Sequence, residues 1–271
     1  MYDIRRNPGA QRLINALRVE VGDSGYARLD SVWCYHNVCS PYSRLYIVRS
    51  GEGVVDDRHQ RVALLPGHVC LIPAGLTFDH WCEEYLEKLY FHVNVILPDG
   101  SDLFARCPRP LDMTVPMEKV TELSGLYLSG RVEDALRLQQ GLYELLGALV
   151  EQSGLSALAI KTYSATLSRA FQCIQQNLSS QLTVRDLAAS LNISESTLAK
   201  KFKAESGMTI GAYVDALLLD RAKKLLVGSE MTIGQIAESL RFCDQFYFSR
   251  YFRQRQGATP SQYRREQKHV I

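Results

Sequence analysis

One pattern is written twice in the last ninety or so residues, and that repeat constrains the fold more than anything else in the chain. The first copy runs Thr183-Val-Arg-Asp-Leu-Ala-Ala-Ser-Leu191, continues through Ser194-Glu-Ser-Thr-Leu-Ala-Lys-Lys-Phe-Lys203 and closes with Gly207-Met-Thr-Ile-Gly-Ala-Tyr213. The second runs Thr232-Ile-Gly-Gln-Ile-Ala-Glu-Ser-Leu240, then Asp244-Gln-Phe-Tyr-Phe-Ser-Arg-Tyr-Phe-Arg253, and closes with Gly257-Ala-Thr-Pro-Ser-Gln-Tyr263. The offset is 49 residues at Thr183 and 50 at Ser194. A self-similar segment must fold as two like units, so the architecture of this region is set before any local assignment.

Each copy reads as two short helices joined by a tight turn. Thr183 with Asp186, and Thr232 with Gln235, have the form of capping boxes. Leu187, Ala188 and Leu191, matched by Ile236, Ala237 and Leu240, give the spacing of one apolar helix face. Ser194 and Asp244 are N-cap types that open the second helix. Leu198 with Phe202, and Phe248 with Phe252, lie four apart and anchor one face. The opposite face carries Ser196, Ala199, Lys200 and Lys203 in one copy, and Gln245, Phe246, Ser249, Arg250 and Arg253 in the other. Gly207 and Gly257 stand where a helix C-cap requires positive φ. This is the grammar of a helix-turn-helix, stated twice.

The second copy resembles the signature of the AraC/XylS family of bacterial transcription regulators. The matching residues are Ile236-Ala237, Leu240, Phe242, Asp244, Tyr247-Phe248-Ser249-Arg250, Phe252-Arg253, Gly257, Thr259-Pro260-Ser261 and Tyr263-Arg264. One position departs from it: the glycine usual in the turn is Arg241, whose side chain disfavours φ > 0, so a strained or reshaped turn is expected there. The first copy has Asn192 in its turn, which tolerates that region. The resemblance implies double-stranded DNA as a partner. It also implies a homodimer, control by a small molecule, no enzymatic activity, activation as the common outcome, and RNA polymerase as a partner if the protein is an activator.

Charge divides the chain in the same place. Residues 155–271 hold 16 Lys/Arg against 9 Asp/Glu, and residues 1–154 hold 15 against 20. A basic half beside an acidic half fits a DNA-binding domain next to one that avoids DNA. At 271 residues and 46% hydrophobic the chain accommodates two domains, expected at 1–152 and 155–271. No apolar run has the length of a membrane span. The first residues lack the apolar core of a signal peptide. Seven cysteines without C-x-x-C spacing fit reduced thiols in a cytoplasmic protein.

From Ser31 to about Leu97 short apolar segments alternate with turns, and strands are expected over Val32–Tyr35, Arg44–Arg49, Gly53–Asp56, Arg61–Leu65, His68–Ile72 and Leu86–Val95. Residues before about 30 form an arm followed by a strand or a helix; the pattern does not choose. Leu65-Pro66-Gly67, a strand through Val69 and Leu71, and Pro73-Ala74-Gly75 resemble the second motif of cupin barrels. Such barrels are the usual ligand-binding domains of sugar-responsive AraC-type regulators. The expected fold is therefore a cupin-like all-β barrel followed by two helices, then an all-α domain with two helix-turn-helix units joined by a long helix. Residues 98–115 read as loop. Helices are expected over Met117–Leu128 and Val132–Val150, the latter with a stripe of Leu136, Leu142, Leu145, Leu146 and Leu149 that serves either internal packing or a dimer seam. A linker is expected at Gln152–Ser156, then a helix over Ala157–Asn177.

His36, His80 and His92 could converge inside the barrel. The His-x-His followed by Glu that supplies metallocupin ligands is absent around residues 33–50, so no metal and no cofactor is expected. Trp33, Tyr35, Arg44, Tyr46, His80, Trp81, Tyr90 and His92 give the apolar walls and few polar groups of a ligand site. A carbohydrate or sugar acid is the leading candidate, with plain core packing the alternative for each residue alone. Two rivals stand beside the effector-controlled regulator: a barrel that only dimerises, and a metal-dependent cupin enzyme fused to a DNA-binding domain.

By the family resemblance, Ser196, Ala199 and Lys200 in the first unit, and Gln245, Phe246, Ser249 and Arg250 in the second, face DNA bases. Lys201, Lys203, Arg253, Arg255 and the helix ends near Thr183 and Thr232 meet phosphates. The intervening helix, Ile210–Val227, is about 27 Å long. That length places both units in successive major-groove segments, roughly 34 Å apart, once helix widths are added.

Overall fold

A computed structural model describes residues 14, 17–155, 161 and 163–268. Its strands are β1 (Arg18–Asp30), β2 (Cys34–Cys39), β3 (Ser43–Gly51), β4 (Gly53–Asp56), β5 (Arg61–Leu64), β6 (His68–Ile72), β7 (Thr77–Trp81), β8 (Tyr85–Ile96) and β9 (Leu111–Thr114). Two helices follow, α1 (Met117–Ser129) and α2 (Val132–Gln152). The rest is helical: α3 (Ala165–Gln176), α4 (Val184–Leu191), α5 (Glu195–Ser206), α6 (Ile210–Gly228), α7 (Ile233–Ser239), α8 (Gln245–Gln256) and α9 (Pro260–Lys268). Among the described residues no helix is long and apolar enough to cross a membrane.

The strands form two antiparallel sheets, of order β1-β8-β3-β6-β9 and β2-β7-β4-β5. The expected barrel thus takes the form of two facing sheets. Side chains alternate along a strand, and the larger sheet uses both of its faces. Leu45, Ile47, Leu89, Phe91 and Val93 pack under α1 and α2, against Leu123, Leu142, Leu145, Leu146 and Leu149. Tyr46 and Val48 point the other way and join Trp33, Val55, Val62, Phe78 and Leu86 between the sheets. Burial on both faces is why β3 and β8 contain unbroken runs of buried residues.

Several local expectations shift. Residues 18–30 are a strand, resolving the open choice. The first expected strand begins at Cys34, leaving Trp33 in the preceding turn. Two strands were unforeseen: β7, and β9 inside the supposed loop of 98–115. The helix expected over Ala157–Asn177 begins at Ala165, because Ser164 caps it by accepting the Leu167 amide at 3.3 Å; Ala157–Ile160 and Thr162 lie outside the described residues. Gln152 ends α2 and Ser153–Leu155 turn away, with Ser156 outside the described residues. The stripe on α2 is mostly internal, since four of its leucines are buried against the sheet and Leu136 is exposed.

The helical part follows the doubled pattern closely. Both capping boxes are present, at Thr183/Asp186 and Thr232/Gln235. Ser194 caps α5 through the Thr197 amide, and Asp244 caps α8 through the amides of Phe246 and Tyr247. Gly207 and Gly257 end their helices at φ 84° and 82°. Each copy also buries the same aromatic pair: Phe202 against Tyr213 at 5.4 Å, and Phe252 against Tyr263 at 5.5 Å. Arg241 keeps the turn geometry that its missing glycine would favour, at φ 58°, as Asn192 does at φ 56°. The shape is therefore retained and the strain accepted, at about 1–2 kcal/mol for a left-handed non-glycine residue. Ser180 binds this turn from the first unit, its amide donating to the Leu240 carbonyl at 2.9 Å and its hydroxyl to the Arg241 carbonyl at 2.5 Å.

The two parts meet at the loop after β8. The Tyr213 hydroxyl donates to the Asp99 carbonyl at 2.8 Å, Tyr163 to the Asp99 carboxylate at 2.9 Å, and Gln175 to the Pro98 carbonyl at 3.2 Å. Gly100 is required here twice over: its φ is 75°, and a Cβ would lie 2.9 Å from the Tyr213 hydroxyl. Arg18 of β1 donates to Gln175 at 2.8 Å. A cleft of about 520 Å³ beside these contacts is lined by Arg18, Gln175, Asp220, Arg221 and Lys224 among others.

Candidate nucleic-acid interface and inter-sheet site

On α5, Leu198 and Phe202 are buried, and Ser196, Ala199, Lys200, Lys201 and Lys203 are exposed. On α8, Phe248, Tyr251 and Phe252 are buried, and Gln245, Phe246, Arg250 and Arg253 are exposed, with Ser249 half-buried. A helix that keeps two or three anchors inside presents its other positions outward. Phe246 is 67% exposed, an aromatic at the helix start that the core does not explain. The Arg250 guanidinium lies 5.9 Å from the Tyr247 ring centre. Backbone donation from Tyr247 to Asp244 holds that carboxylate below its usual range. Ser249 turns its hydroxyl back to the Gln245 carbonyl at 2.7 Å.

Arg255 differs from its sequence assignment. It pairs with Asp215 of α6 at 2.5 Å and lies 3.8 Å over the Tyr251 ring, so its charge is engaged within the protein. Arg264, at the end of the second copy's motif, has a structural job. It donates to the carbonyls of Leu226 at 2.9 Å and Met231 at 2.6 Å, closing the end of α6.

The second candidate site lies between the sheets. The sequence expected Trp33, Tyr35, Arg44, Tyr46, His80, Trp81, Tyr90 and His92 to come together. Seven of them do. Trp33 stacks on His80 at 4.2 Å, Tyr35 meets His80 edge-on at 5.5 Å, and Trp33 meets Tyr46 at 6.2 Å. Tyr90 and His92 are 5.4 Å apart on β8. Arg44 donates to Ser40 at 2.9 Å and to the Tyr46 hydroxyl at 3.4 Å. The Tyr90 ring reaches across β1 because Gly25 opposes it; a Cβ there would stand 2.5 Å from the ring. Trp81 is the exception. With His80 facing inward, strand alternation turns Trp81 to the other face, where Arg61 covers it at 5.4 Å.

Sequence reasoning missed two members. Tyr42 stacks on His92 at 4.0 Å. Lys88 lies 3.2 Å from the Tyr46 ring centre and 3.9 Å from that of Trp33. Strand alternation puts Lys88 on the face of Tyr90 and His92, two and four residues on, but a lysine read by its type alone is taken as solvated. Burial pushes His80 well below the ordinary imidazole range and His92 down to about 2, with Lys88 and Arg44 adding repulsion; both rings are neutral at pH 7. His36 does not join them: it is exposed and lies 3.4 Å from Asp79. Among the described residues no group of three or more His, Cys, Asp or Glu side chains is placed to hold a metal.

The paired helix-turn-helix units with polar and basic outer faces define a DNA-binding protein that carries two reading heads in one chain. Residues 187–266 match the family model described as a helix-turn-helix domain. The chain is 34% identical to the Msm operon regulatory protein of Streptococcus mutans over 266 residues, which is 93% of this chain and 95% of that one. It is 24% identical to the lactose operon transcription activator of Staphylococcus xylosus, over 82% and 83% of the two chains. It is 26% identical to the arabinose operon regulatory protein of Salmonella typhimurium, over 79% and 80%. The chain belongs to the AraC/XylS family of transcription regulators, and its function is sequence-specific DNA binding in transcription control.

Proposed function

We propose that this regulator is a cytoplasmic, non-enzymatic homodimeric activator whose DNA binding is set by a sugar or sugar derivative held between the two β-sheets. The observation that carries the effector reading is the set of aromatic rings and buried polar side chains gathered there, in a chain whose relatives are named for lactose and arabinose operons. Aromatic faces suit the apolar face of a pyranose, and Arg44, His80 and His92 suit its hydroxyls. The loop at Asp99, bonded to Tyr213 and Gln175, offers a route by which a change between the sheets reaches the first helix-turn-helix. Such a ligand shifts the equilibrium only by its differential affinity for the two arrangements. On α1 and α2, Leu128, Val132, Leu136 and Tyr143 are exposed; they are the proposed dimer seam. RNA polymerase is the partner that activation requires.

On the DNA, Ser196, Ala199 and Lys200 face bases from the first unit, and Gln245, Phe246, Ser249 and Arg250 from the second. Gln matches adenine and Arg matches guanine bidentately, and Phe246 or Ala199 suits a thymine methyl. Lys201, Lys203 and Arg253 meet phosphates; Arg255 is omitted because Asp215 holds it. Replacing Arg250 by Ala is expected to cost about 1–3 kcal/mol at one base position. Affinities for single-base operator variants check it: equal weakening on every variant would remove Arg250 from the base-reading set.

A thermal-shift screen of the full chain against neutral and acidic mono- and disaccharides at millimolar concentration tests the effector. A ligand at a hundred times its Kd stabilises by about 2.7 kcal/mol, a shift of a few degrees. No shift with any sugar would favour the dimerisation-only barrel.

A further inference from the structure

The inter-sheet site contains an amine that no hydrogen bond holds. Lys88 is 1% exposed, and its Nζ atom is buried without a hydrogen-bond partner. That atom lies between two aromatic faces, 3.2 Å from the ring centre of Tyr46 and 3.9 Å from that of Trp33. In the β3–β8 ladder Lys88 stands opposite Val48, and Tyr90 opposite Tyr46. Val48 and Tyr46 face the space between the sheets, so alternation aims Lys88 into it as well. Trp33 stacks in turn on His80 at 4.2 Å, and both nitrogens of that ring are buried and without hydrogen-bond partners.

A lysine is almost never fully buried unless it is paired. Burial disfavours the charged form; burial first, then Arg44, holds the Lys88 amine well below the ordinary lysine range. An uncharged amine in a desolvated pocket is a nucleophile, the form of lysine that adds to carbonyl groups. His80 is also kept uncharged, by burial first and then by the nearby Lys88. A neutral imidazole carries one N–H and one lone pair, the two groups that passing a proton from nitrogen to oxygen requires.

Building on the effector reading above, we infer that Lys88 holds the effector covalently and reversibly, as an imine with the aldehyde carbon of a small hydroxyaldehyde such as an open-chain aldose. The amine lone pair attacks the aldehyde carbon, forming the C–N bond while the carbonyl π pair moves to oxygen. One proton passes from the nitrogen to that oxygen, with His80 as the relay, and gives a carbinolamine. The hydroxyl then leaves with the second nitrogen proton as water, and C=N remains. No oxidant or reductant is consumed, and water reverses the step. The effector therefore needs a free aldehyde, and a glycoside locked in its ring form does not react.

Reductive trapping on the full chain tests this. Glycolaldehyde, glyceraldehyde and arabinose are each added with cyanoborohydride at pH 7, and peptide mass mapping gives the initial rate of adduct formation at every lysine. Lys88 is expected to label roughly tenfold or more faster than exposed Lys200 and Lys203, since an ordinary lysine is uncharged in only about one molecule in 2,500 at that pH. Lys88→Met is expected to lose the fast adduct and no other. The wild-type map stands even if that variant fails to fold. Labelling of Lys88 no faster than that of the exposed lysines, with all three aldehydes, would overturn the imine. A thermal-shift comparison of free sugars with their methyl glycosides separates this from the effector reading. Glycosides that stabilise the chain as much as free sugars, with Lys88 unlabelled, would overturn the imine and leave the effector reading intact. Fast labelling without stabilisation by any sugar would keep the imine site and remove the sugar as its ligand. Neither labelling nor stabilisation would overturn both.

Discussion

Phe252→Ala is expected to destabilise the helical part by about 3–5 kcal/mol, the usual cost of deleting a buried phenyl ring from a packed core. Phe252 is fully buried and touches both Tyr263, at 5.5 Å, and Phe248, at 6.0 Å. It joins α8 to α9, and α9 in turn closes α6 through Arg264. A domain is stable by only about 5–15 kcal/mol, so the variant loses a large share of its margin and its second reading head with it. Urea unfolding followed by circular dichroism, on the full chain, measures the change. A cost below about 1 kcal/mol would mean that α8 is held by something other than this aromatic seam.

The helical half was readable because its determinants are local. Caps at Thr183, Ser194, Thr232 and Asp244, and left-handed residues at Asn192, Gly207 and Gly257, each act within four residues. Even the one irregularity, Arg241, was visible as a residue of the wrong type in a turn whose shape survived. The β half was less readable. β1 alternates poorly, since Gly22, Asp23, Ser24 and Gly25 interrupt its apolar residues, and β9 is only four residues long. Neither has a pattern that pairing does not supply.

The inter-sheet site was legible in its aromatic and imidazole members and not in Lys88. A lysine in a sequence is taken as solvated, and only the burial of its neighbours on β8 reveals otherwise. Trp81 failed in the opposite sense. Its type suited a sugar site, but adjacency to His80 on one strand put the two on opposite faces. Arg255 was assigned to phosphate by type alone, and Asp215, forty residues earlier, decides its place.

The second large effect concerns spacing along DNA. The helix α6 that separates the units has 19 residues, about 28 Å of rise. The proposed reading helices it connects are therefore expected to address major-groove segments about one turn apart on one face. Inserting five base pairs between those segments turns the second by half a turn and leaves one unit without its bases. Losing even two base contacts costs about 2–6 kcal/mol, so affinity is expected to fall at least roughly thirtyfold. Inserting ten base pairs restores the face but doubles the distance, which α6 is too short to cross. Two separate subunits joined by a loose linker would behave differently, accepting ten base pairs and refusing five.

The most direct test is a titration of the full chain against an operator selected from random duplexes, compared with its five- and ten-base-pair insertions at one fixed salt concentration. The two-headed account expects both insertions to weaken binding by similar, large factors. Recovery of affinity at ten base pairs, or indifference to five, would contradict it.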